Sequence, residues 1–296
     1  MVGIPDSYRE WLISSAVEDS NGDDRKAYSI IERGAALFMI GQLLGEAWYE
    51  NQFKLGVDRP DLDAFPAAKY GRTFSCISSI KLKRLGQSLE KVAGLPGFEA
   101  KSKELTGRRF DKVVFELLIA EYFLELGCKV EFLPPSFSPT CDLRLDDEVY
   151  AECKFADDWP LDDDVLRGKF ANYVAAMTIK IPQESAGVLI VCLPLDRIPT
   201  PVDRERLGLA LEAVLDDQIA NPSGGFERLL AARAYIESTE AFENGRKCKV
   251  QYVRILLWKS PHYNDLPRKV RFALEDSQDR VKPRIWIDYK GLSKGQ

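Results

Sequence analysis

Residues 187–193 read GVLIVCL, an apolar run that no charged or hydroxyl side chain interrupts. A short run of this kind, rich in Val, Ile and Leu, marks a strand covered on both faces. Such a strand needs helices above and below it, so the chain is read outward from here as an α/β protein. Of its 296 residues, 45 % are hydrophobic and 29 % charged, which is enough to bury a sizeable core. No apolar run reaches the roughly 18 residues of a membrane span. The opening MVGIPDSYREW has neither the basic start nor the apolar stretch of a secretory signal. A cytoplasmic chain with no membrane partner is therefore expected.

Hydrophobic periodicity orders the rest. Ile30, Ile31, Leu37, Phe38, Leu44, Ala47 and Trp48 recur at helical spacing over 29–53. Gly34, Gly41 and Gly45 there suit close helix packing or a small-residue dimer contact. After a turn-rich break at 58–66, a second helix is expected over 75–93, basic on one side through Lys81, Lys83, Arg84 and Lys91 and ended by Gly94 to Gly97. Residues 1–100 are taken as a helical N-terminal region, either a separate domain or a lid. Residues 101–296 are taken as an α/β domain with its core at 106–193.

That core begins with a helix over 106–127, Thr106 as its N-cap and Gly127 beyond its end. A strand over 128–133, a loop over 134–139, two short strands, an acidic loop over 156–164 with Trp159-Pro160, and a helix over 165–181 lead to the apolar strand. Helix, three strands, helix and strand make a mixed sheet with helices against it. Further on, helices are expected over 203–219 and 226–240. Strands are expected over 249–258 and 284–289, around a turn-rich 260–267.

The chemistry concentrates in residues 139–154, PTCDLRLDDEVYAECK. Side chains alternate faces along a strand, so Val149, Ala151, Cys153 and Phe155 point to the core while Tyr150, Glu152 and Lys154 point together the other way. If the two strands pair across the turn Asp146-Asp147-Glu148, Asp142, Glu152 and Lys154 converge. Two carboxylates and an ammonium suit a divalent metal and an activated water.

On the preceding helix, Asp111, Glu121 and Glu125 fall on the wet side, whereas Glu116 stands among Val113, Ala120 and Phe123. A carboxylate on an apolar flank needs a partner. Glu116 is accordingly read as a salt bridge to Lys112 or Arg109, as a helix end exposed to water, or as a carboxylate that reaches over the sheet towards the metal site. A bare Glu-x-Lys carries little by itself, since Glu99-Ala-Lys101 is another.

Other chemistries lack residues. None of the six cysteines forms a C-x-x-C pair, and His262 is the one histidine. Zinc ribbons and multi-histidine sites are excluded, and no G-x-S-x-G elbow accompanies His262 for a serine triad. The net charge of −5 argues against general coating of nucleic acid. Its distribution is uneven, however. Residues 81–112 hold nine Lys and Arg against four Asp and Glu, and residues 142–164 hold ten acidic against two basic residues. That pairs a carboxylate-rich site with a basic margin for a phosphate backbone.

With those residues in place, the segment from about 108 to 193 resembles the PD-(D/E)XK nuclease superfamily, the restriction-endonuclease-like fold. Glu116 matches its helix acid, Asp142 its strand Asp, and Glu152 and Lys154 its Glu-x-Lys. The match departs in one respect: Pro139 stands three positions before Asp142 instead of next to it. The resemblance implies a Mg²⁺- or Mn²⁺-dependent deoxyribonuclease. Asp142, Glu152 and Lys154 would be catalytic, and Glu116, Asp142 and Glu152 would hold the metal. Lys169 and Tyr173 are accessory candidates, and Arg108, Arg109, Lys83 and Arg84 are candidate nucleic-acid contacts. DNA is the expected partner, with RNA open, and a homodimer is one use for the N-terminal region. The rival reading is a nuclease-fold binding or scaffolding protein with little or no catalysis.

Overall fold

The computed structural model describes residues 5–21, 24–45, 74–105, 110–134, 140–156, 162–195, 199–220, 224–242 and 247–276. Among them the helices are α1 (Asp6–Ser20), α2 (Asp24–Leu44), α3 (Phe74–Val92), α4 (Phe98–Ser102), α5 (Phe110–Glu125), α6 (Asp163–Lys180), α7 (Pro201–Ala220) and α8 (Arg268–Glu275). The strands are β1 (Val130–Phe132), β2 (Leu143–Leu145), β3 (Val149–Phe155), β4 (Ala186–Leu195), β5 (Leu229–Phe242) and β6 (Lys247–Lys259).

The strands form one mixed sheet in the order β1-β2-β3-β4-β5-β6. β1, β2 and β3 run antiparallel in turn, β4 lies parallel to β3 and to β5, and β6 closes antiparallel to β5. The apolar run is the strand expected of it. Val188 and Ile190 on β4 face one core, with Val113, Leu117 and Phe123 of α5. Leu189 and Val191 face the other, with Phe170 and Val174 of α6 and Leu207 and Leu211 of α7. The β2–β3 hairpin turns where expected. Asp146 and Asp147 both take positive φ, +47° and +67°, and Glu148 N–H bonds back to the Leu145 carbonyl. This is the left-handed pair that a tight hairpin needs.

The helical N-terminal region shares a core with the sheet. Ile40 of α2 and Leu85, Leu89 and Val92 of α3 lie in the same apolar cluster as Leu117, Leu143 and Ala151. A smaller cluster, Leu12, Ala16, Ile31 and Ala35, joins α1 to α2.

Two sequence expectations are overturned. Residues 226–240 are not a helix: Phe226–Arg228 make one 3-10 turn, and Leu229 opens β5. The stretch LLAARAYIES is rich in helix formers, but its place between β4 and β6 decides its conformation, and tertiary pairing overrides local propensity. Glu121 is not on a wet face. It is fully buried under α3, where Ser88 Oγ–H donates to it at 2.5 Å. Helix α8, between the last two expected strands, answers to no sequence expectation. The Thr106 cap, the Trp159-Pro160 loop, the helix beyond residue 45, the break at 58–66 and the strand at 284–289 lie outside the described residues.

Candidate active site

Asp142 ends the bend that enters β2. Its backbone N–H bonds to the Ala151 carbonyl at 3.1 Å, and its own carbonyl accepts from Leu133 N–H. The β2–β3 register runs to Leu143 opposite Ala151, and Asp142 lies just beyond it, at the entry to β2. The Asp142 carboxylate is fixed as well: Oδ2 accepts from the Cys153 backbone N–H at 2.8 Å. The hairpin thus sets the Asp142 carboxylate against the backbone between Glu152 and Lys154.

Glu152 is fully buried. Its Oε1 receives two ammonium groups, Lys154 from its own strand and Lys180 from the last turn of α6 at 2.5 Å. Its Oε2 is buried without a hydrogen-bond partner among the described residues. Lys154 and Lys180 keep 18 % and 21 % of their side chains exposed, so both reach the surface beside the buried acid. The end of α6 that carries Lys180 is held by Arg228, which donates to the Ile181 carbonyl at 2.7 Å and to the Thr178 carbonyl at 3.2 Å.

Glu116 sits on the core side of α5, 1 % exposed. Lys101 Nζ lies 2.7 Å from Glu116 Oε2 and 3.1 Å from Glu104 Oε1. Lys112, one turn earlier on α5, lies 3.4 Å from Glu116 Oε1 and 3.7 Å from Asp142 Oδ1. The salt bridge from Lys112 to Glu116 and the approach of Glu116 towards the Asp142 end are both present. The salt bridge to Lys112 is the reading of Glu116 that the contacts show, and its burial rules out a water-exposed carboxylate.

The local electrostatics follow from burial and neighbours. Burial, then the Asp142 charge, raises the Glu116 pKa to about 7 against the opposing pull of Lys101 and Lys112. Burial would lower the Lys112 pKa, but Asp142, Glu116 and Glu152 outweigh it and the net shift is upward. Lys101 is raised in the same way, chiefly by Glu116. Burial and the nearby acids push the Cys141 thiol up to about 12 and raise that of Cys153 well above its ordinary value, so neither supplies a thiolate at neutral pH.

Each carboxylate is thus matched by lysine, and among the described residues no three His, Cys, Asp or Glu side chains lie together as a metal-binding group. The donors nonetheless suit a hard divalent ion. They are carboxylate oxygens, and Mg²⁺ is usually held by one or two carboxylates with waters completing the shell. Glu152 Oε2, buried and unbonded, is the kind of atom such an ion satisfies.

The other candidates fall elsewhere. Tyr173 packs beside Phe170, and Lys169 is half-buried on α6; the α6 lysine bonded to Glu152 is Lys180. Lys83 is tied to the buried Glu32 of α2, and Arg84 is half-buried near Tyr252. Arg108 and Arg109 lie outside the described residues. Sequence reasoning passed over two lysines. Lys101 belongs to the tripeptide dismissed as a chance Glu-x-Lys, and Lys180 carried no local signal at all. Only a buried acid in need of a partner hinted at either.

No family model, curated protein or solved structure matches the chain. Among the described residues no helix is long and apolar enough to cross a membrane.

Proposed function

We propose that the chain is a metal-dependent nuclease that hydrolyses DNA phosphodiester bonds, built on a restriction-endonuclease-like core. The observation that carries this reading is the Asp142 carboxylate held by the backbone N–H of Cys153, between Glu152 and Lys154, with Glu116 of α5 linked to Asp142 through Lys112. The strand order supports it too: a helix, three antiparallel strands, a crossover helix and a parallel strand.

Asp142 and Glu152 would hold Mg²⁺ or Mn²⁺, with Glu116 as a third or water-mediated acid. Bound there, the ion supplies Lewis-acid neutralisation of a phosphate and acidifies a coordinated water. The rest falls to the protein. Lys154, anchored on Glu152, orients the attacking water and stabilises negative charge as it grows on the phosphate. Asp142, fixed by the Cys153 amide, keeps its carboxylate from turning away. Burial of Glu116 and Glu152 keeps bulk water from competing for them.

The pairing of every acid with lysine favours a second reading, a binding module of this fold without catalysis. One assay separates the two. Single- and double-stranded DNA is incubated with the chain and Mg²⁺ or Mn²⁺, beside Asp142→Ala and Lys154→Ala. Cleavage by the unaltered chain that both variants lose supports the nuclease. Cleavage that persists in both points to a contaminant or another site. No cleavage of any nucleic acid, with no ion bound by calorimetry, leaves the binding module.

A further inference from the structure

Three of the carboxylate oxygens at this end of the sheet are already committed. Asp142 Oδ2 takes the Cys153 amide, Glu116 Oε2 takes Lys101 and Glu152 Oε1 takes Lys154 and Lys180. Two of the remaining oxygens, Asp142 Oδ1 and Glu116 Oε1, face a single group, the Lys112 ammonium, at 3.7 and 3.4 Å. Both distances exceed a charge-assisted hydrogen bond, which runs at about 2.7–2.9 Å. Lys112 is therefore a shared counter-charge between two acids, bonded tightly to neither. Its side chain is 37 % exposed, whereas Lys101 is 4 % exposed. Lys101 is a fixed partner, and Lys112 has solvent into which its head can move.

We propose that the Lys112 ammonium is an internal cation that stands where the divalent ion binds, holding Asp142 and Glu116 together until the ion displaces it. The proposal rests on the metal-site reading above and adds the residue that competes for the site. A single positive charge between two carboxylates keeps the apo protein folded with its acids near one another. A divalent ion carries twice that charge and would take Asp142 Oδ1 directly and Glu116 Oε1 directly or through a water, beside Glu152. Lys112 then turns outward, still on the first turns of α5 and at the margin of the site. Every ion that enters must evict it, so the affinity of the unaltered chain is set below what the acids alone would give.

The test is Mn²⁺ binding by titration calorimetry to the full chain and to Lys112→Gln, Lys112→Met and Lys112→Arg. The expected result is affinity about tenfold tighter in Gln and Met and within about threefold of the unaltered chain in Arg, because Arg restores the competing charge. In chelator, Gln and Met should melt at lower temperature than the unaltered chain, and saturating Mn²⁺ should close that gap. If Met is too unstable to purify, Gln, which keeps the reach and a polar head, decides. Equal or weaker Mn²⁺ affinity in the neutral variants, beside measurable binding by the unaltered chain, overturns this proposal and leaves the metal site standing. No Mn²⁺ binding by any of the four chains overturns both.

Discussion

Asp142 Oδ2 accepts a hydrogen bond from the Cys153 backbone N–H at 2.8 Å, which ties the acid of one strand to the main chain between Glu152 and Lys154 on the next. The bond is made by shape as much as by charge. Asp142→Asn retains an oxygen for the Cys153 amide and should fold with little change in melting temperature, while cleavage falls on the order of a thousandfold, about 4 kcal/mol of barrier. Asp142→Ala also orphans a buried N–H and should lose a further ~1–2 kcal/mol of stability. Melting curves beside single-turnover cleavage separate the two effects.

Glu116 sets a pH dependence. Its pKa stands near 7 in the folded chain, against the ordinary 4.5 of an exposed carboxyl, because of burial and the Asp142 charge. Between those values the folded chain keeps a proton that the unfolded chain has released. The Glu116 contribution to stability therefore declines as pH climbs from about 4.5 to 7 and is flat above. An ion that binds Glu116 must expel the proton, so Mn²⁺ affinity should weaken up to about tenfold per unit below pH 7. Calorimetry at pH 6 and pH 8 reads this directly. Glu116→Gln should bind more weakly and lose the step, and its urea-unfolding free energy should lose the matching slope.

Lys101 is buried because Glu116 and Glu104 partner it. Lys101→Met removes the charge that offsets Glu116 and should destabilise the chain by about 3 kcal/mol at pH 8, the cost of leaving one member of a buried pair. Adding Glu116→Gln should recover much of that loss, a coupling that a urea double-mutant cycle measures. The segment that delivers Lys101 is stitched to β1 by the Phe132 N–H bond to the Pro96 carbonyl, and Gly97 beside it has φ +78°. A Cβ at Gly97 would meet the Phe132 carbonyl oxygen at 1.9 Å, so Gly97→Ala should displace this segment and destabilise the chain as well.

Arg233 holds the far side of the sheet. It is buried on β5 and donates to the Ala273 and Asp276 carbonyls at the end of α8, both at 2.7 Å. Its guanidinium lies 5.2 Å from the Tyr122 ring centre and 4.6 Å from that of Tyr235. A lysine offers one ammonium in place of the planar fork and cannot make both carbonyl bonds between two rings. Arg233→Lys should cost about 2–3 kcal/mol by urea unfolding and leave Mn²⁺ binding unchanged.

What was legible in the sequence is what is set locally. The alternation from Val149 to Phe155 and the polar turn before it are short-range patterns, so the hairpin could be read directly. The GVLIVCL run announced a strand buried on both faces because it is continuous, rich in Val, Ile and Leu, and short for a helix. β5 was illegible because Ala231, Ala232 and Ala234, the best helix formers, serve there as small residues in an interior strand between β4 and β6. Glu121 misled for the same reason: nothing near it in sequence reveals that α3 lies over it. Lys101 and Lys180 reach their acids from 15 and 28 residues away, and no periodicity encodes such a contact.

The central claim is that these acids share a divalent ion. Crystals of the full chain grown with Mn²⁺, with data collected at the manganese absorption edge, test it most directly. The account predicts an anomalous peak coordinated by Asp142 together with Glu152 or Glu116, with Lys112 turned away from it. Crystals that diffract well, contain Mn²⁺ in their mother liquor and show no anomalous peak at Asp142 would contradict it.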